Sequence, residues 1–138
     1  MEQSIEEREA RARLENGQSP RDKARDHQIV RRARLKRARE RGTHTLIEWR
    51  FLVRACGNAC VKCGRQPVTK DHIRPLYHDV ETSTDALENL QPLCLPCNSS
   101  TGGDGEDYRP ARVLLAIAMI RVLARWKDYI KKPKGKRK

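Results

Sequence analysis

Two cysteine pairs set the strongest limit on what this chain can build. Cys60-Val61-Lys62-Cys63 and Cys94-Leu95-Pro96-Cys97 each hold two thiols with two residues between them, and thirty residues separate Cys63 from Cys94. Four thiolates at this spacing suit a tetrahedral Zn²⁺. A closed shell of Cys60, Cys63, Cys94 and Cys97 leaves no open coordination position, so this zinc is expected to be structural. The aromatic complement is two Trp, three Tyr and one Phe in 138 residues. A core that small usually needs a staple such as a metal. The fifth cysteine, Cys56, falls on the apolar face of the preceding helix and reads as a small buried hydrophobe.

The span between the pairs is longer than in common zinc ribbons, and it carries polar chemistry that zinc does not need. Asp71-His72-Ile73-Arg74-Pro75-Leu76 comes first, then Asn89-Leu90-Gln91, and Asn98 stands directly behind Cys97. A carboxylate, an imidazole and two amides inside one zinc frame read as a second, hydrolytic metal site. Phosphodiester cleavage needs a nucleophile, charge neutralisation and leaving-group help. A hard cation held by a carboxylate and an amide oxygen serves the last two needs. An imidazole is a suitable base for the first at neutral pH. Neighbouring strand residues point to opposite faces. Asp71 and His72 therefore need a twist or bulge at the strand end to reach one phosphate.

These residues, over roughly residues 45–103, resemble the HNH endonuclease family, in particular the zinc-bound HNH nucleases common in phages and prophages. The resemblance implies an α+β fold. Its centre is a small ββα-metal, treble-clef-like zinc module, with flanking α-helices and basic tails. It implies that Asp71 ligates a catalytic divalent cation and that His72 is the general base that activates water. It implies that Asn89 orients His72 or tethers the loop, and that Asn98 stands in place of the family's last His as second cation ligand. Asn is a weaker ligand than His, which favours Mg²⁺ or Mn²⁺ over a catalytic Zn²⁺. Many relatives carry Lys where this chain has Thr101, which puts one phosphate contact in doubt. Double-stranded DNA is the implied substrate. A phage packaging (terminase) complex and a homodimer are partners the resemblance allows. One site cuts one strand at a time, so a double-strand break needs a dimer or two visits.

Charge is segregated along the chain. Residues 1–44 carry a net +5, residues 45–107 a net −3 and residues 108–138 a net +10. An acidic centre suits cations, and basic flanks suit a polyphosphate. Three segments follow: a basic, partly helical or flexible arm (1–44), the zinc module (45–107), and a C-terminal helix with a basic tail (108–138). Ser19-Pro20 predicts a helix start, and a basic helix is expected to run to Arg41 and stop at Gly42. Its Arg31, Arg32, Arg34, Lys36 and Arg37 are candidate DNA contacts, as are Arg74 and, in the tail, Lys131 and Lys132. Residues 2–16 predict an exposed, frayed helix ending near Gly17.

Thr45-Leu46-Ile47-Glu48 reads as a capping box, with Trp49, Leu52, Val53 and Cys56 on one face of its helix. Short strands are expected over 67–73 and 90–93, with a loop over 77–88. Cys97-Asn98 is expected to open a short helix that Gly102-Gly103 ends, and Asp104 to Asp107 an acidic linker. A long helix from Pro110 to about Ile130 carries a broad apolar stripe, expected to pack on the centre or on a second copy. His27, His44 and His78 read as structural or solvent-facing, and Glu88 as a surface charge.

No apolar run reaches the ~20 residues of a membrane span, and no signal peptide is visible. Free thiols in a basic chain fit a reducing cytoplasm, that of a bacterial host if the chain is phage-encoded. Two other functions remain open. One is a non-catalytic zinc module that binds nucleic acid. The other is an interaction protein whose long C-terminal helix docks on a partner.

Overall fold

The computed structural model describes residues 3–16, 19–78, 81–101 and 105–131, without the side chains of 127–131. Gly17, Gly102, Gly103, Asp104 and Lys132 lie outside the described residues, as do the side chains of Ile130 and Lys131. Among the described residues, five helices and two strands follow in the order α1 (Ile5–Glu15), α2 (Pro20–Arg41), α3 (Leu46–Ala55), β1 (Val68–His72), β2 (Leu90–Cys94), α4 (Leu95–Ser100) and α5 (Ala111–Lys131). Single 3₁₀ turns at Leu76–His78 and Leu87–Asn89 interrupt the loop between the strands. The fold is a small α+β arrangement with one two-stranded sheet. None of the described helices is long and apolar enough to cross a membrane.

The chain divides into two compact units. One comprises residues 1–44, 72–90 and 103–106; the other comprises 45–71, 91–102 and 107–138. Residues 45–107 are thus distributed over both.

In the first unit, Ser4 caps α1 and Ser19 caps α2, each side chain accepting from a backbone N–H of the first turn, with Pro20 at the start of α2. The two helices pair through charge more than through apolar surface. Glu7 is fully buried and receives Nη2 of Arg37 at 2.9 Å and Nη2 of Arg11 at 2.8 Å. Asp26, also buried, takes a two-pronged contact from Arg13 at 3.1 Å. Ala10, Val30 and Ala38 fill the space beside these pairs. α1 is therefore a docked helix rather than the frayed one expected. Its partners are ionic, and apolar periodicity does not register them.

In the second unit, Thr45 closes a complete capping box with Glu48 at the start of α3. Leu52 is the buried anchor of α3, and Glu48 pairs with Arg121 of α5 at 3.1 Å. Among the described side chains of α5, Val113 and Ile117 are the buried ones. The broad stripe of α5 is buried only along this line; Leu114 and Leu123 are exposed, against expectation. The strands carry the register that positions the site. The Thr69 hydroxyl donates to the Leu93 carbonyl in this unit, and Ile73 N–H donates to the Asn89 carbonyl in the first. Residue numbers rise on one strand as they fall on the other, so the pair is antiparallel. β2 is buried along its whole length.

Candidate metal centre and active site

The first cysteine pair sits in a tight turn after α3. Cys60 N–H donates to the Arg65 carbonyl, and Gly64 N–H donates to the Cys60 carbonyl. Gly64 adopts a φ of 75°, the left-handed conformation that lets the chain double back without a Cβ penalty. The second pair lies where β2 gives way to α4: Cys94 caps α4 and Cys97 falls in its first turn. Cys60, Leu93, Cys94 and Cys97 form a buried cluster, with Val61, Val68 and Tyr108 against it.

The four sulfurs all lie within 4.8 Å of one another, and those of Cys63 and Cys94 are 3.5 Å apart. Tetrahedral ligation at a Zn–S length of about 2.3 Å places sulfurs about 3.8 Å apart, so the donor set fits zinc. The thiols also compete for charge. Hydrogen bonding to the Arg65 backbone and side chain draws Cys63 down to about 6. Cys97, crowded first by Cys63 and then by burial and its other neighbours, is pushed up to about 12. Four adjacent thiols do not all ionise unless a cation shares the charge. Cys56 stands apart from this cluster as the cap residue of α3, and burial raises its thiol to about 11.

Asp71 lies on β1, half-buried. Its carboxylate accepts from Nε2 of Gln91 at 2.8 Å, and the Oε1 of that buried amide accepts from Tyr108 N–H at 3.0 Å. Asn98, on α4, donates its Nδ2 to the Thr69 hydroxyl at 2.9 Å and to the Lys70 carbonyl at 3.2 Å. Those bonds leave Oδ1 as the atom suited to ligate a cation. Thr69 and Asp71 are two apart on a strand and share a face. Asp71 and Asn98 are therefore both directed to the Thr69 face.

His72, the last residue of β1, belongs to the other face, and its Nε2 is 3.0 Å from Oδ1 of Asp85. Asp85 is the residue that reading the sequence missed. It is 3% exposed, receives Nε of Arg39 at 3.0 Å, and donates its own N–H to the carbonyls of Ala38 and Gly42 at the end of α2. Burial works to raise the Asp85 carboxyl; the hydrogen bonds from His72 and Arg39 outweigh it and hold Asp85 below the usual carboxylate range. His44 is tied in the same place, with Nδ1 2.6 Å from the Asp85 carbonyl. The only prior signal for Asp85 was a polar residue in a loop without period.

Asn89 is buried, and its side chain staples the loop that follows β1. It accepts from Arg74 N–H at 2.7 Å and donates to the carbonyls of Arg74 and Thr84 at 3.1 and 2.8 Å. These partners are loop backbone groups and not His72. The Arg74 side chain is exposed, and His78 stacks beside Tyr77 with ring centres 4.3 Å apart.

Among the expected DNA contacts on α2, Arg31, Arg32 and Lys36 are exposed and Arg34 is half-buried. Arg37 corrects the expectation: its guanidinium is buried against Glu7, and a charge so placed stabilises α1–α2 rather than meeting phosphate.

No curated relative and no solved structure matches the chain. Residues 54–103, a little over a third of the chain, match the HNH endonuclease family model, and this stretch contains the four clustered cysteines together with Asp71, His72, Asn89 and Asn98.

Proposed function

We propose that this protein is a divalent-cation-dependent HNH endonuclease that hydrolyses phosphodiester bonds of double-stranded DNA. The observation that carries the reading is the coincidence, within one HNH-matching stretch, of a zinc-competent four-cysteine cluster and the Asp71, His72 and Asn98 set. Asp71 and Asn98 are the residues to hold the catalytic cation. A hard ion such as Mg²⁺ or Mn²⁺, when bound, supplies charge neutralisation at the phosphate and the departing oxygen. Gln91 fixes the Asp71 carboxylate, and Thr69 fixes the Asn98 amide. His72 takes the proton from water. With Nε2 turned to Asp85, Nδ1 is the nitrogen that acts as base. Asn89 keeps the loop beyond His72 closed. Arg31, Arg32, Lys36 and Arg74, with Lys131 and Lys132, supply phosphate contacts, which position DNA without reading its sequence. In-line attack by water leaves a 5′ phosphate and a 3′ hydroxyl. End-labelling of the products tests this, since 3′-phosphate ends would exclude the proposed direction of cleavage.

A specific observation favours a second reading, a non-catalytic zinc-stapled module that binds nucleic acid. Asp71 is engaged by Gln91, and His72 by Asp85, within the protein itself. A binding module needs no more from those residues than these structural bonds. For that reading, replacing His72 leaves every DNA-directed property unchanged.

A further inference from the structure

A groove on the second unit joins an apolar floor to a cationic rim. Trp49 and Val53 of α3 and Val68 of β1 are half-buried and form the floor; Arg50, Arg54 and Asn58 are exposed and form the rim. All six belong to the same unit. The volume is about 380 Å³, within the ~300–1,000 Å³ of small-ligand sites. Strand residues alternate, so Val68 and Lys70 face away from Thr69 and Asp71. The groove is therefore separate from the proposed cation site.

Charge decides which class of ligand fits. Arg50 and Arg54 are one helical turn apart and project to the same side. Among the described residues neither has an ion pair, whereas Arg65, Arg109 and Arg121 of the same unit are engaged by Cys63, Asp107 and Glu48. No carboxylate lines the groove among the described residues. Glu48, beside Trp49 in sequence, is turned to the Thr45 N–H and to Arg121. The larger cavity along α1 and α2, about 470 Å³, differs, because Glu6 and Glu40 stand among its cations. An anion with an apolar body suits the groove on α3 and not that cavity.

The floor narrows the choice. Lys70 Nζ stands 5.4 Å from the centre of the Trp49 ring, and Lys70 is itself exposed. A cation on an aromatic face at such a site gains ~0.5–1 kcal/mol. A nucleobase stacked on an aromatic ring gains ~1–3 kcal/mol. Stacking therefore displaces the ammonium, which then joins the two arginines as a third cation. A paired base already stacks on its neighbours, whereas an unpaired one can be splayed onto the indole. We propose that this groove binds an unpaired nucleotide of a DNA strand, with its base on Trp49 and its phosphate between Arg50 and Arg54. That the strand is DNA rests on the proposed function; the binding itself does not depend on catalysis.

Trp126 is 65% exposed, so Trp126→Phe leaves a folded chain whose one tryptophan is Trp49. The zinc-loaded full chain of this variant is titrated with a labelled oligothymidylate of about ten nucleotides. No Mg²⁺ or Mn²⁺ is added, and Trp49 emission is read beside the anisotropy of the label. The expected result is saturable quenching that tracks the anisotropy, with little quenching by an abasic strand of the same length. Arg50→Ala combined with Arg54→Ala raises the concentration for half-quenching at least about tenfold. It also reduces the slope of log affinity against log salt by about 1.4. Both arginines are exposed, so zinc content and helicity stay unchanged. Anisotropy that rises without quenching puts the strand elsewhere and overturns the proposal. Equal quenching by the abasic strand, or quenching unchanged in the double variant, also overturns it. Binding of duplex but not of the single strand overturns this inference and leaves the proposed function standing; binding of neither overturns both.

Discussion

Asp85 ties together three parts of its unit. It receives His72 and Arg39 through its carboxylate, and its backbone meets α2 and His44. If His72 is the base, Asp85 sets its tautomer and ring direction. Asp85→Asn preserves the shape and removes the charge. The expected outcome is a fall in kcat of up to about 100-fold, with KM and DNA affinity little changed. An unaltered kcat would assign Asp85 to structure alone. Asn89→Ala acts differently, because it releases two carbonyls and an N–H of the loop at once. A loss of about 1–3 kcal/mol in unfolding free energy is expected, read by urea denaturation. The Asp-His step and both asparagines were legible because their chemistry stands out against a zinc frame. Asp85 was not, since its significance comes from the His, the Arg and the helix end that the folded chain brings to it.

At the scale of elements, local signals served well wherever one short stretch decides the outcome. The Thr45–Glu48 box and the Ser19-Pro20 start are complete within four residues, and both helices begin where those signals fall. α1 shows the opposite case. Its docking on α2 rests on Glu7–Arg37, thirty residues apart, and on Arg13–Asp26. Charged residues in a helix read as a solvated face, yet Glu7, Asp26 and Arg37 are buried. Replacing Glu7 by Ala leaves the Arg37 charge buried without its carboxylate, and should cost about 3–5 kcal/mol, measured by chemical denaturation. The same pair predicts acid sensitivity. The hydrogen bond from Arg37 holds Glu7 below its ordinary range, against the opposing effect of burial. A lowered folded-state pKa contributes stability above the unfolded value of about 4.3 and loses it as pH falls through the folded one. The protection of the α1 and α2 amides relative to their intrinsic exchange rates should therefore fall below about pH 4, and Glu7→Gln should weaken that dependence. α5 gives a third lesson. Its stripe is broad because two faces are apolar, and a sequence does not say which face meets its own chain.

At the scale of the molecule, zinc and charge have separable effects. Cys60, Cys94 and Cys97 lie in a buried cluster with Leu93, so a metal held there would support packing as well as ligation. Chelation, or Cys94→Ser, should abolish cooperative thermal unfolding of that unit; an unchanged transition would show that the cysteines do not hold a structural metal. The basic face of α2 should act through counterion release. Arg31→Ala, Arg32→Ala and Lys36→Ala should each reduce the slope of log affinity against log salt by about one, whereas Arg37→Ala should lower stability instead. This distinction was not available from the run of basic residues alone, because burial separates Arg37 from its neighbours.

Whether the HNH-matching stretch cuts DNA with His72 as its base is decided by cleavage of supercoiled plasmid in Mg²⁺, Mn²⁺ or EDTA. Wild type is compared with His72→Ala, and zinc content and DNA affinity are checked in both. The expected result is cation-dependent conversion to open-circle or linear DNA, reduced by at least about 100-fold in a folded His72→Ala that still binds DNA. Equal cleavage by the two proteins, or wild-type binding without cleavage under any of the cations, would show that His72 is not the base of a nuclease.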